Sequence, residues 1–225
     1  MVNTMDFQFV NTGSTPVVRS ISSKEAKQLI IAKHYSGRCR ASQYAFGLFE
    51  NEGLVGAVTY GTPSSPQVRR SICPSGAARV LELNRLVIAT ATPNAASMLI
   101  GRTLRLLPSA IVVSYADQGQ QHIGYVYQAT NAWYAGSTTP HDNEYIVDGK
   151  RVHPRTLAAR GITNPKQWAR ENGIIAAPIE PKHRYVYLVG TKRDTRELAS
   201  LVAWPLSRDY PKGDLLRKNV SVLAL

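Results

Sequence analysis

Two aliphatic runs set the pattern of this chain. Val80–Ile88 reads VLELNRLVI, with Glu82, Asn84 and Arg85 among the aliphatics, and residues 110–115 read AIVVSY before Asp117 interrupts them. Short aliphatic runs bounded by polar turns predict central strands. Between them Thr92 offers an N-cap with Pro93 at the first helical position. Met98, Leu99, Leu104 and Leu106 or Leu107 then form an apolar helix face that Pro108 stops. The expected unit is strand, crossover helix, parallel strand.

Upstream, residues 7–10 and 17–21 are strand-like. Ser22 and Glu25 form a capping box for a helix to about Ala32, and Asn51-Glu52-Gly53 joins Tyr44–Glu50 to residues 54–59 as a hairpin. Residues 61–79 read as loop. Downstream, the pattern predicts a short helix over about 120–129 and a small hairpin about Asp148-Gly149. A helix opened by Asn164-Pro165 and an alternating strand, HRYVYLVG over 183–190, follow, and a charged segment leads into a last short helix.

This order predicts a mixed α/β fold, with α+β character in its sheet, and not a doubly wound one. It fits the acyltransferase layout, in which two adjacent parallel strands splay apart and admit a cofactor arm. Here those strands are Val80–Ile88 and residues 110–115. The 225 residues suit a single domain over 1–225, with a core at about 17–136 and a C-terminal extension over 137–225.

Apolar content of 44% is ordinary, but a net charge of +12 exceeds what solubility requires and points to a polyanionic partner. Double-stranded DNA leads, with an anionic membrane surface as the rival. No apolar run of membrane length, signal peptide or strongly amphipathic basic helix is apparent, so no membrane partner and a cytoplasmic location are expected. Cys39 and Cys73 lie far apart without metal-type spacing, which suits a reducing compartment. The basic residues concentrate in loops and near element ends: Arg38, Arg40, Arg69, Arg70, Lys192, Arg193 and Lys212 as the DNA-contacting set, with Lys150, Arg151, Arg155 and Arg160 among the others. Dispersed basic loops around a pocket suit phosphate contact.

Asp117, at the end of an apolar strand, reads either as a general base, metal ligand or base-amine clamp, or as the N-cap of the next helix. Tyr125, Tyr127, Gln128 and Asn131 read either as base-stacking and adenine-edge groups or as packing. Glu82 and Asn84 share one face of that strand and Arg85 takes the other, as a structural ion pair or a substrate contact. The helix opening at Asn94, Ala95 and Ser97 leaves free N–H groups that can take a pyrophosphate of a small-molecule donor. His34 is a lone histidine in the pattern, and no histidine here has ligand-type spacing. The chain lacks the [DNS]PP[YFW] motif and glycine-rich loop of adenine methyltransferases. It also lacks a P-loop, GxSxG and the zinc-deaminase motif.

Several blocks in order carry a resemblance: His34-Tyr-Ser-Gly37, Leu81-Glu-Leu-Asn-Arg-Leu86, Asn94-Ala-Ala-Ser97, Ser114-Tyr-Ala-Asp117, Gly124-Tyr-Val-Tyr-Gln-Ala-Thr-Asn131 and His153-Pro-Arg-Thr156. They resemble the Mom DNA-modification proteins of Mu-like phages over about residues 34–157. The resemblance implies a fold like the GCN5-related N-acetyltransferases. It also implies a transferase that places an acetamido (carbamoylmethyl) group on N6 of adenine in duplex DNA, against host restriction. By the same resemblance acetyl-CoA and iron are the associated cofactors. Asp117, Tyr127, Ser114 and Arg85 would belong to the active site, and His34 and Tyr35 would be the iron ligands. One departure stands out: the acyltransferase pyrophosphate loop [QR]xxGx[GA] has no glycine counterpart in residues 89–97. A non-catalytic DNA-binding protein and an N-acyltransferase for a small amine or a protein are the alternatives.

Overall fold

The computed structural model describes residues 15–34, 37–139 and 143–213. The strand expected at 7–10 and the metal candidate Tyr35 lie outside these residues. The elements run β1 (Val17–Ser20), α1 (Ser23–Lys33), β2 (Tyr44–Glu50), β3 (Gly53–Gly61), α2 (Pro66–Ile72), β4 (Val80–Ile88), α3 (Ala95–Leu104), β5 (Ala110–Asp117) and α4 (Tyr125–Ala129). There follow β6 (Trp133–Ser137), β7 (Asn143–Val147), β8 (Lys150–Val152), α5 (Pro154–Ala159), α6 (Pro165–Glu171), β9 (Ile175–Pro178), β10 (Lys182–Val189) and α7 (Lys192–Leu201).

Seven strands form one sheet in the order β1-β2-β3-β4-β5-β10-β6, in which β4 and β5 are parallel and the other pairs antiparallel. Alternation in each strand feeds two faces. On one, Leu99 and Ile100 of α3 pack on Phe46, Val58, Leu83, Val112 and Tyr185. On the other, Ala26 and Ile30 of α1 cover Ala45, Ala57 and Val87, and Leu198 of α7 covers Ile111, Val113 and Val186. Capping boxes fix where α1 and α7 start: Ser22 with Glu25, and Thr191 with Asp194.

The pairing of β4 with β5 is short. Val80 faces Ile111, Leu81 faces Val112 and Glu82 faces Val113; there the ladder stops, although the strands continue to Ile88 and Asp117. The expected splay is therefore present. A second irregularity lies next to it. Between β3 and β4, Thr59 faces Arg85 while Tyr60 faces Leu83, so Asn84 is an extra residue on β4. The bulge overturns the simple alternation expected for this strand. Glu82, Asn84 and Arg85 all reach residues 38–41, contacting Arg40, the Ala41 carbonyl and the Arg38 carbonyl respectively.

The crossover helix begins at Ala95, not after Thr92, with Asn94 as a left-handed N-cap. Thr92 is held back by Thr90, whose hydroxyl accepts the Thr92 N–H at 3.2 Å and donates to Glu50 at 2.9 Å. Residues 61–79 hold α2, capped by Ser65 with Pro66 in its first turn. Between β6 and β10 the chain builds a small sheet, β8-β7-β9, with α5 and α6 over a core of Tyr145, Leu157 and Ala169.

Candidate active site

The splay opens beside two unmet polar atoms. Ser114 is 1% exposed and, among the described residues, its Oγ has no protein partner. Asn84 donates its Nδ2 to the Ala41 carbonyl at 3.2 Å, but its buried Oδ1 has no partner among the described residues. Folded proteins rarely leave buried polar atoms unpaired, and such atoms at a gap in a ladder mark a place for a ligand.

On the β4 side, the Glu82 carboxylate receives Arg40 at 2.8 Å. Burial raises the Glu82 carboxyl, and the guanidinium groups of Arg40 and Arg85 pull it back down. Arg85 is pinned by backbone, its Nε donating to the Arg38 carbonyl at 2.9 Å and its Nη1 to the Asn84 carbonyl at 2.6 Å. His34 caps the C-terminus of α1 in electrostatic reach of Arg85 and His122. Burial first, then the Arg85 charge and the neighbouring His122, push its imidazole down to about 4, so it is neutral at pH 7. Half-buried Tyr115 lies near Glu82, Arg184 and Arg40, and burial and the Glu82 charge push its phenol up to about 12.

On the β5 side, Asp117 does two structural jobs. Its Oδ1 accepts the Gly119 N–H at 3.0 Å and its Oδ2 accepts Lys182 Nζ at 2.8 Å. The capping alternative is thus realised, together with an ion pair that the pattern did not reveal. Tyr127 is 9% exposed, its ring centroid 5.2 Å from that of Tyr185. Gln128, considered for the adenine edge, instead donates to the Ile123 carbonyl and the Tyr185 hydroxyl at 3.0 and 3.1 Å. Asn131 does not share a helix face with Tyr127, because α4 ends at Ala129 and Asn131 sits in a left-handed turn. Trp133 is unavailable for stacking on one face, where Arg208 lies 3.6 Å from the ring centroid.

His122 and His183 join this neighbourhood without any sequence signal. His122 follows Asp117, whose carbonyl accepts its N–H, and the Asp117 charge acts on the imidazole. The His183 Nδ1 lies 3.1 Å from the Tyr134 hydroxyl, 3.2 Å from Ser137 Oγ and 3.4 Å from Gln118 Nε2, and burial lowers its pKa. Strand pairing alone makes this cluster: β10 sets His183 opposite Ala116 and Ser137.

A groove of about 1300 Å³ runs along α3, bounded by Asn94, Ser97, Gly101 and Arg105 on one side and by Asn131, Tyr187 and Arg196 on others. Two of the three cofactor candidates, Asn94 and Ser97, line it. Ala95 is 2% exposed and packs into the core, so only its backbone is available. The DNA-contacting candidates are not gathered in one place. Arg38 and Arg40 lie by the splay with Arg85. Arg69 and Arg70 sit on α2, and Lys212 follows Pro211, whose carbonyl lies against Gln128. Lys192 and Arg193 open α7 just past Val189, which faces Ala110 at the opposite end of β5 from Asp117. Among the described residues no group of three His, Cys, Asp or Glu side chains is placed to hold a metal ion. Within those residues the donors do not complete an iron site.

Replacing Arg40 with alanine leaves the Glu82 carboxylate buried without its partner. We expect a loss of about 1–3 kcal/mol in folding stability, read as a lower urea midpoint with an unchanged m-value. Adding Glu82→Gln should recover part of that loss.

A mixed sheet whose two parallel strands part beside unpaired buried polar atoms defines an acyltransferase-like α/β protein. More particularly, the chain belongs to the Mom protein family, whose model matches residues 15–212. It is 33% identical over 162 residues to "Methylcarbamoylase mom" of Escherichia phage Mu, an alignment covering 68% of this chain and 66% of that relative. The chain thus spans just under two thirds of the relative's length. Similar solved structures include an Arabidopsis thaliana protein in complex with acetyl-CoA (TM-score 0.48, 12% identity, 77% of this chain and 98% of that one). A probable acetyltransferase from Staphylococcus epidermidis is another (TM-score 0.46, 9% identity, 78% and 100%).

Proposed function

We propose that this chain is a DNA-modifying transferase that places an acetamido (carbamoylmethyl) group on N6 of adenine in duplex DNA, protecting phage DNA from restriction in the host cytoplasm. The observation that carries the reading is the buried Ser114 Oγ, unpartnered among the described residues, where β4 and β5 part. Membership of the Mom family and the phage Mu relative's name, a methylcarbamoylase, support a group-transfer enzyme of that family. The charge of +12 supplies the affinity for a polyanion.

A base inside a duplex is out of reach of such a gap, so the target adenine must be extruded into it. Ser114 and Asn84 then offer hydrogen bonds to the base or to the transferred group, and Arg85 lends positive potential from the β4 side. Asp117 faces the exocyclic amine: each carboxylate oxygen keeps a second lone pair beyond its bonds to Gly119 and Lys182. It orients or accepts the N6 proton as the new bond forms. Tyr127 backs this wall through Tyr185.

The small-molecule donor lies along α3, with Asn94 and Ser97 at the groove's upper end and acetyl-CoA as the expected carrier. The residues fit an extended anionic carrier in that Arg105 and Arg196 border the same groove. Acetyl transfer alone is not enough. It joins N6 to a carbonyl carbon, whereas a carbamoylmethyl product joins N6 to a methylene carbon and carries an amide nitrogen, so the transferred group must arrive already bearing its amide, and a leaving group must depart from its methylene carbon as N6 attacks and Asp117 takes the N6 proton.

The test is nucleoside mass spectrometry of DNA from cells expressing the chain. A heavier deoxyadenosine supports the reading. Unmodified DNA from cells in which the protein is bound to DNA supports a non-catalytic binder. CoA-dependent turnover of a small amine without DNA supports an ordinary N-acyltransferase.

A further inference from the structure

We propose that Arg184 and Tyr115 hold a phosphate of the extruded nucleotide, in a subsite next to Asp117 on the face of the sheet opposite α3; this rests on the reading of duplex DNA as substrate. Strand alternation puts these residues together. Along β5, Val112 and Ala116 belong to the core under α3, whereas Val113 and Tyr115 pack under α2 and α7. Asp117 lies two residues past Tyr115 and shares its face. Along β10, Tyr185 and Tyr187 belong to the core under α3, and Val186 and Leu188 to the other, so Lys182 and Arg184 share the face of Asp117. The antiparallel register sets Arg184 opposite Tyr115 and Lys182 opposite Asp117. Arg184 is therefore the diagonal neighbour of Asp117, about 7–8 Å from it across the ladder.

The charges on this face leave Arg184 over. Asp117 takes Lys182 at 2.8 Å and Glu82 takes Arg40 at 2.8 Å, so each carboxylate of the cluster already has its cation. Glu180 is exposed beside Gly119. Among the described residues Arg184 has neither a hydrogen bond nor a carboxylate partner. It is nevertheless held in place. Its Nε is buried, its guanidinium lies 4.3 Å from the Trp204 ring centroid, and its Nη2 is so close to Gly136 that an added Cβ there would come within 3.3 Å. The Tyr115 hydroxyl likewise has no hydrogen-bond partner among the described residues, and the charges of Glu82, Arg184 and Arg40 act on it. A partly buried guanidinium without an acceptor is costly. Its planar fork matches phosphate oxygens, and a tyrosine hydroxyl is a second donor of the kind that DNA phosphates accept. A phosphate of the donor's carrier has the same chemistry, but the groove along α3 that suits the carrier is lined by neither Arg184 nor Tyr115.

The test is equilibrium binding of the full-length protein to a duplex that it modifies, and to the same duplex with a neutral methylphosphonate in place of the phosphate on the 5′ or the 3′ side of the target adenine. At one of these two positions wild-type protein should bind about tenfold more weakly than to the native duplex. R184Q should lose a similar factor, about tenfold, on the native duplex, and its log K against log salt slope should be shallower by about one. At the sensitive position R184Q should show no further loss. Y115F keeps the ring and removes only the hydroxyl; it should lose about threefold on the native duplex and less than that at the same phosphate. Y115F carries the comparison if R184Q does not melt like wild type. Losses that are equal on the native and both substituted duplexes would mark residues that only shape the protein, and would overturn the subsite. So would a wild-type protein indifferent to both substitutions. A variant that binds the native duplex as wild type does but no longer modifies it would give the residue to the donor instead, and also overturns the proposal. A wild-type protein that neither binds nor modifies any duplex counts against the DNA-modifying function itself, on which the subsite rests.

Discussion

Replacing Asp117 with asparagine should lower base modification by about 10²-fold or more while duplex affinity stays unchanged. Asparagine is as good an N-cap as aspartate, so the bond from the Gly119 N–H survives. What is lost is the negative charge, and an N–H donor then faces the Lys182 ammonium where a carboxylate oxygen stood. If Asp117 only shapes the turn after β5, the variant should work nearly as well as wild type. If its charge handles the N6 proton, modification collapses although the fold and the DNA grip persist. Single-turnover modification of a short duplex, run beside an equilibrium binding titration, separates the two. Full activity in the variant removes Asp117 from the active site.

Gly124→Ala should be among the most damaging substitutions outside the reacting groups, costing about 3 kcal/mol of stability. Gly124 has φ of +78°, where a side chain is strained, and an added Cβ would lie 2.7 Å from Tyr185 Cζ and 2.9 Å from its hydroxyl. Tyr185 has no room to retreat. It is fully buried, its hydroxyl donates to the Ile123 carbonyl and receives Gln128, and its ring packs on Tyr127, Tyr134 and Tyr210. Burial pushes that hydroxyl up to about 12, so it stays a donor across the working range. Gly161→Ala is the control: φ is +87°, but nothing lies within 4 Å of the added Cβ. It should cost only the backbone strain, about 1 kcal/mol. Equal losses in the two variants, measured by chemical denaturation, would mean that the Tyr185 contact adds nothing.

Much of the frame is legible in the sequence because its signals are local. The aliphatic run Val80–Ile88 is a strand with those very ends, the Ser22 and Glu25 box starts α1, and the hairpin expected at residues 51–53 forms as a two-residue turn, Asn51-Glu52, with Gly53 already paired to Glu50 as the first residue of β3. The splay also follows from the order of elements. What escapes the pattern is set by partners distant in sequence. The strand β6 is five residues of WYAGS that become a strand only because β10 pairs with them. The start of α3 moves because Thr90 and Glu50 hold Thr92. The bulge at Asn84 depends on the register of β3, and it turns Arg85 onto the side of Glu82 and His34. The ion pair of Asp117 with Lys182 spans the whole insertion. For the same reason the candidate residues Ser114, Asp117 and Arg85 can be nominated from the chain, but the neighbourhoods of His122 and His183 cannot.

Modification of adenine in DNA by this protein is read most directly from the nucleoside content of DNA exposed to it. Genomic and plasmid DNA from cells expressing the wild-type chain, digested to nucleosides and resolved by mass spectrometry, should contain a deoxyadenosine carrying one additional acetamido group on N6. DNA from cells expressing D117N should lack it. Unmodified deoxyadenosine throughout the wild-type sample, with the protein folded and bound to that DNA, would contradict the account.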